Sequence, residues 1–350
     1  MLRDYSLTGA STRQATESGL APVKWYRTPL SREQLRSFTQ KSDGPAIRDT
    51  VIWLGLLVAF GAAGAVLWPS WASVPFFLAY GVLYGSASDS RWHECGHGTA
   101  FRTRWMNDWV YQMASFMIMR NPTVWRWSHQ RHHTDTYIVG RDPEINAPRP
   151  PKFWKLVANF FGLIDAPLYF AATFRYAFGN VNAAERTYIP EPRIRAVCRE
   201  ARIHLAIYAA TIALAVGLHS IVPLLLVGLP RLYGGWHMVM VGMIQHSGLA
   251  DNVSDHRLNT RTCYMNPISR FVYWNMNYHV EHHMFTTVPF HRLADLHREI
   301  GRDLPAPTPS IAAAFREIIP VLWRQRTEPD FQIVRTLPEP AGVQSPSIPG

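Results

Sequence analysis

Four long apolar stretches interrupt an otherwise polar, arginine-rich chain, at about residues 49–68, 72–90, 201–218 and 221–244. Each approaches the ~20 apolar residues that a helix needs to cross the hydrocarbon core of a bilayer. They fall into two close pairs, joined by Pro69-Ser70-Trp71 and by His219-Ser220, so the pattern predicts two transmembrane hairpins. Pro230 and Arg231 interrupt the fourth stretch. A charge at mid-bilayer is costly unless it is paired or faces protein. Either the helix kinks around a buried Arg231, or its crossing is displaced within the stretch.

Shorter patterns fill in the rest. Ser31 and Gln34 in Ser-Arg-Glu-Gln fit a capping box that opens a short amphipathic helix to about Gln40, expected at the membrane interface. Leu293, Leu296 and Ile300 recur at helical spacing, and a further helix is expected from near Ser310 to Trp323. Residues 1–24 are polar, with no apolar core of a signal peptide, so no cleaved signal is expected there. Residues 336–350, rich in Pro, Ser and Gly, read as a loose tail. The expected architecture is all-α and integral to the membrane: four transmembrane helices in two hairpins under a helical cytoplasmic cap. It divides into an N-terminal segment 1–48, a catalytic unit 49–325 and a tail 326–350.

Composition and charge give this picture an orientation. A hydrophobic content of 47% with 13 Trp suits a membrane protein. The hairpin turns carry no Lys or Arg, whereas residues 1–48, 91–200 and 245–350 hold nearly all the positive charge. By the positive-inside rule, both termini and the large middle segment face the cytoplasm. The net charge of +10 also suits anionic lipid headgroups and an acidic redox partner. Its basic residues are dispersed and no binding motif accompanies them, which argues against nucleic acid. Cys95, Cys198 and Cys263 make neither a disulfide framework nor a CxxC knuckle, and Cys95 reads as a small apolar packing group.

Eight of the 15 histidines fall into three boxes: His93-Glu-Cys-Gly-His97, His129-Gln-Arg-His132-His133 and His279-Val-Glu-His282-His283. Spacings of three and four place side chains on one helix face, so each box offers two or three imidazoles to one point. The second apolar stretch runs into His93 and the fourth runs into Gln245-His246, which makes His246 a ninth candidate, with His237 and His256 as rivals. Imidazole suits Zn, Cu, Fe and Ni alike. A closed zinc site takes four ligands; nine would overfill one metal but furnish two with four or five each, leaving room for a small molecule. Two redox-active metals with open positions imply oxygen chemistry.

The order HECGH, HQRHH, a transmembrane hairpin, Gln-His246 and Asn-Tyr-His-Val-Glu-His-His resembles the membrane-bound fatty acid desaturase and hydroxylase superfamily, over roughly residues 45–325. The resemblance implies two iron ions as cofactor, O2 and two electrons as co-reactants, and attack on an unactivated C–H bond of an apolar chain. Carried over residue by residue, it implies His93, His97, His129, His132, His133, His279, His282 and His283 as ligands, with His246 in addition. The five-residue first box is more similar to acyl-lipid desaturases and to alkyl or carotenoid hydroxylases than to stearoyl-type enzymes. His279 departs from the Gln of front-end desaturases, and no fused haem-binding His-Pro-Gly-Gly occurs. Desaturation of a fatty acyl chain is the leading expectation; hydroxylation of an alkyl, carotenoid or small-metabolite substrate is the alternative.

Acceptors that would fix each imidazole in one tautomer are sought among Glu94, Asp135, Asp142, Glu144 and Glu281. Asn275, four residues before His279, is a candidate for holding a metal-bound water or for capping a helix. Trp125, Trp127 and Trp274 are candidates for walling an apolar tunnel, while Trp105 and Trp109 read as interfacial anchors. No dinucleotide fingerprint, flavin motif or cluster-binding cysteine set is present, so a separate ferredoxin, rubredoxin or cytochrome b5 type carrier and its reductase are expected. Two other classes compete. HECGH is formally HExxH, which permits a membrane zinc metalloprotease with Glu94 as general base, and a metal transporter would also be rich in histidine.

Overall fold

The computed structural model describes residues 3–338; the final part of the expected tail, 339–350, lies outside the described residues. The fold is all-α. Among the described residues only isolated bridges, Thr262 with Tyr278 and Cys263 with Thr308, stand in for β-structure.

The first apolar stretch forms the helix Asp43–Leu67. It turns through Trp71–Ser73 into Val74–Val82, which continues without a break through a π-helical turn, Leu83–Ala87, into Ser88–His97. Trp53 caps the irregular turn by donating its indole N–H to the Leu83 carbonyl, 2.8 Å. Such π-turns often mark functional positions, because an extra residue rotates everything downstream; here the turn sits one helical turn and a half before His93.

The third stretch lies within Ile194–Gly217. Two helical runs, Arg32–Leu67 and Glu191–Gly217, are long and apolar enough to cross a membrane. Phe153–Phe160 and Asp165–Ala177 pass the same test only together, and bend by 78° between them. Their outward faces are apolar: Val58, Val66, Val157, Phe178 and Val216 are each more than 60% exposed. An apolar surface on this scale calls for an apolar environment.

The fourth expected span is not one helix. It breaks into Val222–Leu226, Pro230–Tyr233 and Trp236–His246, with Gly228 at φ +88° between the first two. Close packing explains the second break: a Cβ on Gly234 would lie 1.9 Å from the Gly81 carbonyl carbon, so the two backbones touch. Ser86 ties the same junction, donating to the Gly234 carbonyl at 3.0 Å and accepting from Met238 N–H at 2.9 Å. Arg231 is 1% exposed, with Nη2 3.9 Å from Asp165. The kinked course with Arg231 turned into protein is the one the chain adopts. Pinning Gly234 to Gly81 fixes the start of the helix that ends at His246 against the helical run that leads to His93.

The capping box forms as expected: Ser31 Oγ accepts from Gln34 N–H, Gln34 Oε1 accepts from Ser31 N–H, and the helix Arg32–Phe38 follows. Leu293–Ile300 and Ile311–Arg324 also match, the latter capped by Ser310. The polar residues 1–24 contain a further helix, Ala10–Glu17. It is docked by Thr12, whose hydroxyl donates to the Gly140 carbonyl at 2.6 Å.

Candidate metal centre

Each histidine box rides on a helix with its own local cause. His93 and His97 lie one turn apart on Ser88–His97, which ends at Gly98 in the left-handed conformation, φ +68°. Pro122–Thr134 carries His129, His132 and His133; Asn121 caps it by accepting from Val124 N–H, and Pro122 takes the first position. His279–Met284 presents the third box on barely more than one and a half turns. His246 is the last residue of Trp236–His246.

These helices bring nine imidazoles together, all buried or nearly so. Nitrogens of His93, His97, His129, His133 and His282 lie within 4.8 Å of one another, and those of His132, His246 and His283 form a second such group. His279 joins the second group through Nε2, 3.2 Å from Nε2 of His283. The two groups touch at the His133 and His283 rings, whose centroids are 4.4 Å apart.

The outer nitrogens decide what the inner ones do. His129 Nδ1–H donates to Glu144 at 3.0 Å, His132 Nδ1–H to Asp142 at 2.8 Å, and His246 Nδ1–H to the Asn259 carbonyl at 2.9 Å. Thr136 spends its proton on the His132 carbonyl, so its oxygen accepts from His283 Nδ1–H at 3.2 Å. With Nδ1 protonated, each Nε2 points a lone pair inward. Nε2 of His129 then lies 3.1 Å from Nε2 of both His97 and His133, and His282 Nε2 lies 3.2 Å from that of His133. Such gaps are bridged by a shared proton or by a cation, and with imidazole nitrogens gathered into two compact groups the donor set fits two metal ions.

Protonation agrees with ligation. Burial, followed by repulsion from neighbouring imidazoles, pushes His93, His97, His133, His279 and His283 well below the usual histidine range, and His246 to about 3. These rings are neutral at pH 7, the form that binds metal. Burial works to raise Glu144, but the hydrogen bond it accepts from His129 and the nearby Arg120 guanidinium favour its charged form and hold the carboxyl below the usual range.

Other sequence candidates separate. Asp135 pairs with Arg131 and Arg141, not with an imidazole. Glu281 accepts from Thr262 at 2.5 Å and pairs with His297, which lies outside the histidine boxes. Glu94 is fully buried; its Oε2 accepts from Thr99 and Phe290 N–H, and Oε1 lies 3.5 Å from His93 Nδ1 and 3.6 Å from that of His282. A general base facing substrate would need the opposite placement. Asn275 stands apart, at φ +60°, donating to the Phe290 carbonyl and accepting from Arg270. Tyr278, not Asn275, occupies the N-cap position of the helix that follows, and its side chain makes no capping bond. His237 contacts Ser269, and His256 stacks on Trp25.

A cavity of about 440 Å³ opens directly on the first group, walled by Trp92, Tyr111 and Trp125 among others. Trp274 does not line it; it is buried, with its N–H on Asp49. Trp105 and Trp109 are exposed, as anchors would be. Thr136, Asn259 and Trp92 were not singled out in the sequence, and no spacing rule would have found a backbone carbonyl or a hydroxyl brought from elsewhere in the chain.

Comparison with known families places the chain. The fatty acid desaturase family model matches residues 68–313. The protein belongs to the fatty acid desaturase family. This desaturase-family chain is 31% identical over 123 residues to the sn-1 acyl-lipid omega-3 desaturase (ferredoxin) of Synechocystis, which covers 33% of this chain and 34% of the relative. It is 26% identical over 240 residues to an endoplasmic reticulum omega-6 fatty acid desaturase of Glycine max, covering 60% and 61%. With the delta(12)-acyl-lipid-desaturase of Punica granatum the identity is 26% over 252 residues, 63% and 64% of the two chains. The matches thus span between about one third and just under two thirds of these relatives' lengths.

Proposed function

We propose that this protein is a membrane-bound acyl-lipid desaturase that removes two hydrogens from an apolar chain with O2 and two electrons. The observation that carries the reading is the paired imidazole cluster, with nitrogens converging from nine rings, buried or nearly so, in a family member. His93, His97, His129, His133 and His282 would hold one iron, and His132, His246, His279 and His283 the other. Such a pair supplies the oxidising power for an unactivated C–H bond. The remainder is positioning: Glu144, Asp142, the Asn259 carbonyl and Thr136 keep the rings in the Nδ1–H tautomer, and Trp92, Tyr111 and Trp125 exclude water beside the first group. The overall reaction is R–CH2–CH2–R′ + O2 + 2 e⁻ + 2 H⁺ → R–CH=CH–R′ + 2 H2O.

In this reading residues 49–325 form the catalytic unit. Two hairpins carry it, the second of them with a discontinuous fourth helix, and all boxes lie on one cytoplasmic face together with both termini. Electrons come from a separate carrier and its reductase; the Synechocystis relative is named for its use of ferredoxin. The test is comparative lipid profiling in a host expressing the protein or its His132→Ala variant. A product two hydrogens lighter, absent with the variant, is expected. A product one oxygen heavier would reassign the centre to hydroxylation, and no difference of either kind with iron bound would refute an oxygen-dependent role in that host.

A further inference from the structure

One ring stack leads from the surface to the second imidazole group, and it begins outside the segment that matches the family. Trp25 lies face to face with His256, with centroids 4.1 Å apart and planes 5° apart, and the His256 centroid is 5.0 Å from that of His283. Trp25 is held in place. Its N–H donates to the Thr134 carbonyl at 2.8 Å, and Tyr26 N–H donates to the Ser254 carbonyl at 3.1 Å. The Tyr26 ring lies under the Arg257 guanidinium at 3.6 Å, while its hydroxyl and that of Thr28 donate to Asp303. So the segment forms a fixed strap across the cluster, with Trp25 partly open to solvent.

Exposed cations surround that ring. Arg27 and Arg126 line the same cavity mouth as Trp25, and Lys24 precedes it; all three are exposed. Arg126 is 3.6 Å from Asp108, the one acidic group among the described residues that pairs with this rim, which leaves an excess of positive charge there. A stacked, immobile aromatic pair reaching from a basic rim to a metal-facing imidazole suits electron passage, because tunnelling falls steeply with the gap between π-systems.

We propose that Trp25 and His256 form the electron entry to the metal centre, and that Lys24, Arg27 and Arg126 dock an acidic one-electron carrier protein. This rests on the oxidative reading above. Each reaction needs two docking events, each carrier losing one electron, and the protons and O2 enter as in the balanced equation. The carrier's acidic surface raises the encounter rate in a salt-dependent way.

The experiment uses the full-length, iron-loaded protein in detergent and a reduced acidic [2Fe–2S] ferredoxin as probe. Ferredoxin oxidation is followed anaerobically by stopped flow, with dithionite as a small reductant that needs no docking. Trp25→Ala is expected to slow electron uptake from ferredoxin severalfold, Trp25→Phe much less, and neither should alter iron content or reduction by dithionite. Charge reversal in Lys24→Glu/Arg27→Glu is expected to raise the half-saturating ferredoxin concentration roughly tenfold at low salt and to flatten its salt dependence. Wild-type rates in Trp25→Ala, or loss of dithionite reduction alongside that of ferredoxin, would overturn the proposal. So would a variant that changes only the KM for lipid, since the cavity mouth would then be a substrate entrance. If ferredoxin oxidation depends on Trp25 but no lipid is altered, the electron entry stands and the desaturase reading fails.

Discussion

Replacing Asp142 by Asn tests the claim that outer hydrogen bonds set the inner lone pairs. Asp142 accepts four bonds: Oδ2 from His132 Nδ1–H and Tyr137 N–H, both 2.8 Å, and Oδ1 from Glu144 N–H at 2.8 Å and Ile145 N–H at 3.3 Å. An amide has one acceptor and one donor end, so either orientation sets its NH2 against two N–H groups. If it faces His132, the ring must move its proton to Nε2 and lose the inward lone pair. If it faces the loop, the half-buried N–H groups of Glu144 and Ile145 lose their acceptor, at up to about 1–3 kcal/mol each. Loss of an outer partner weakens metal binding about 10–100-fold, or about 1.4–2.8 kcal/mol. Glu144→Gln is the matched control. Glu144 accepts from His129 with one oxygen and from the Ser128 hydroxyl with the other. The amide oxygen can serve His129 while its NH2 donates to Ser128 Oγ, so metal affinity should change little. Iron retained after dialysis against graded chelator, measured by mass spectrometry, reads both variants. Wild-type affinity in Asp142→Asn with no loss of thermal stability, or equal losses in the two variants, would refute the tautomer argument.

Further outcomes follow from the same geometry. His246→Ala should lower the iron content toward one per chain, whereas His256→Ala should keep two; the reverse pattern in metal analysis would make His256 the ninth ligand. Gly234→Ala places a methyl within 2.4 Å of three Gly81 backbone atoms, and should lower thermal stability by about 1–3 kcal/mol or more. Gly242→Ala, in the same broken stretch but with nothing within 4 Å of its Cβ, should be neutral by the same thermal assay. Asp303→Ala removes the acceptor shared by Tyr26, Thr28 and Arg257. It should loosen the strap by about 1–3 kcal/mol, seen as faster limited proteolysis between Gly19 and Lys24 with the catalytic unit intact.

Much of the site was legible because box spacing is a local property. Residues at i, i+3 and i+4 share a face wherever a helix forms, so the eight boxed imidazoles could be grouped from sequence, and the apolar stretches ending at His93 and His246 brought in the ninth. Partner choice was less legible, since it depends on segments that meet only in the fold. Asp135 and Asp142 look equivalent in sequence, yet Asp135 is taken by Arg131 four residues earlier, and by Arg141, leaving Asp142 for His132. The Arg131–Asp135 spacing is a helical ion-pair signal, so that distinction was available. Glu281 had no comparable signal: it turns from its own box to His297, which arrives on the helix Leu293–Ile300.

The fourth span shows how hydropathy misleads where packing, not lipid contact, sets the course. Residues 221–244 are apolar enough to suggest a continuous helix, but Gly228 and the Gly234-Gly235 pair punctuate them, and Pro230 opens a new turn between. The broken course lets Gly234 meet Gly81 and lets Ser86 bond across the junction. A straight helix would satisfy its own backbone but could not pass Gly81 that closely and still deliver His246 beside His132, where the ring centroids are 5.3 Å apart. The break is therefore part of how the imidazole cluster is built. Its sequence signature is the three glycines and the proline, not the apolar residues around them.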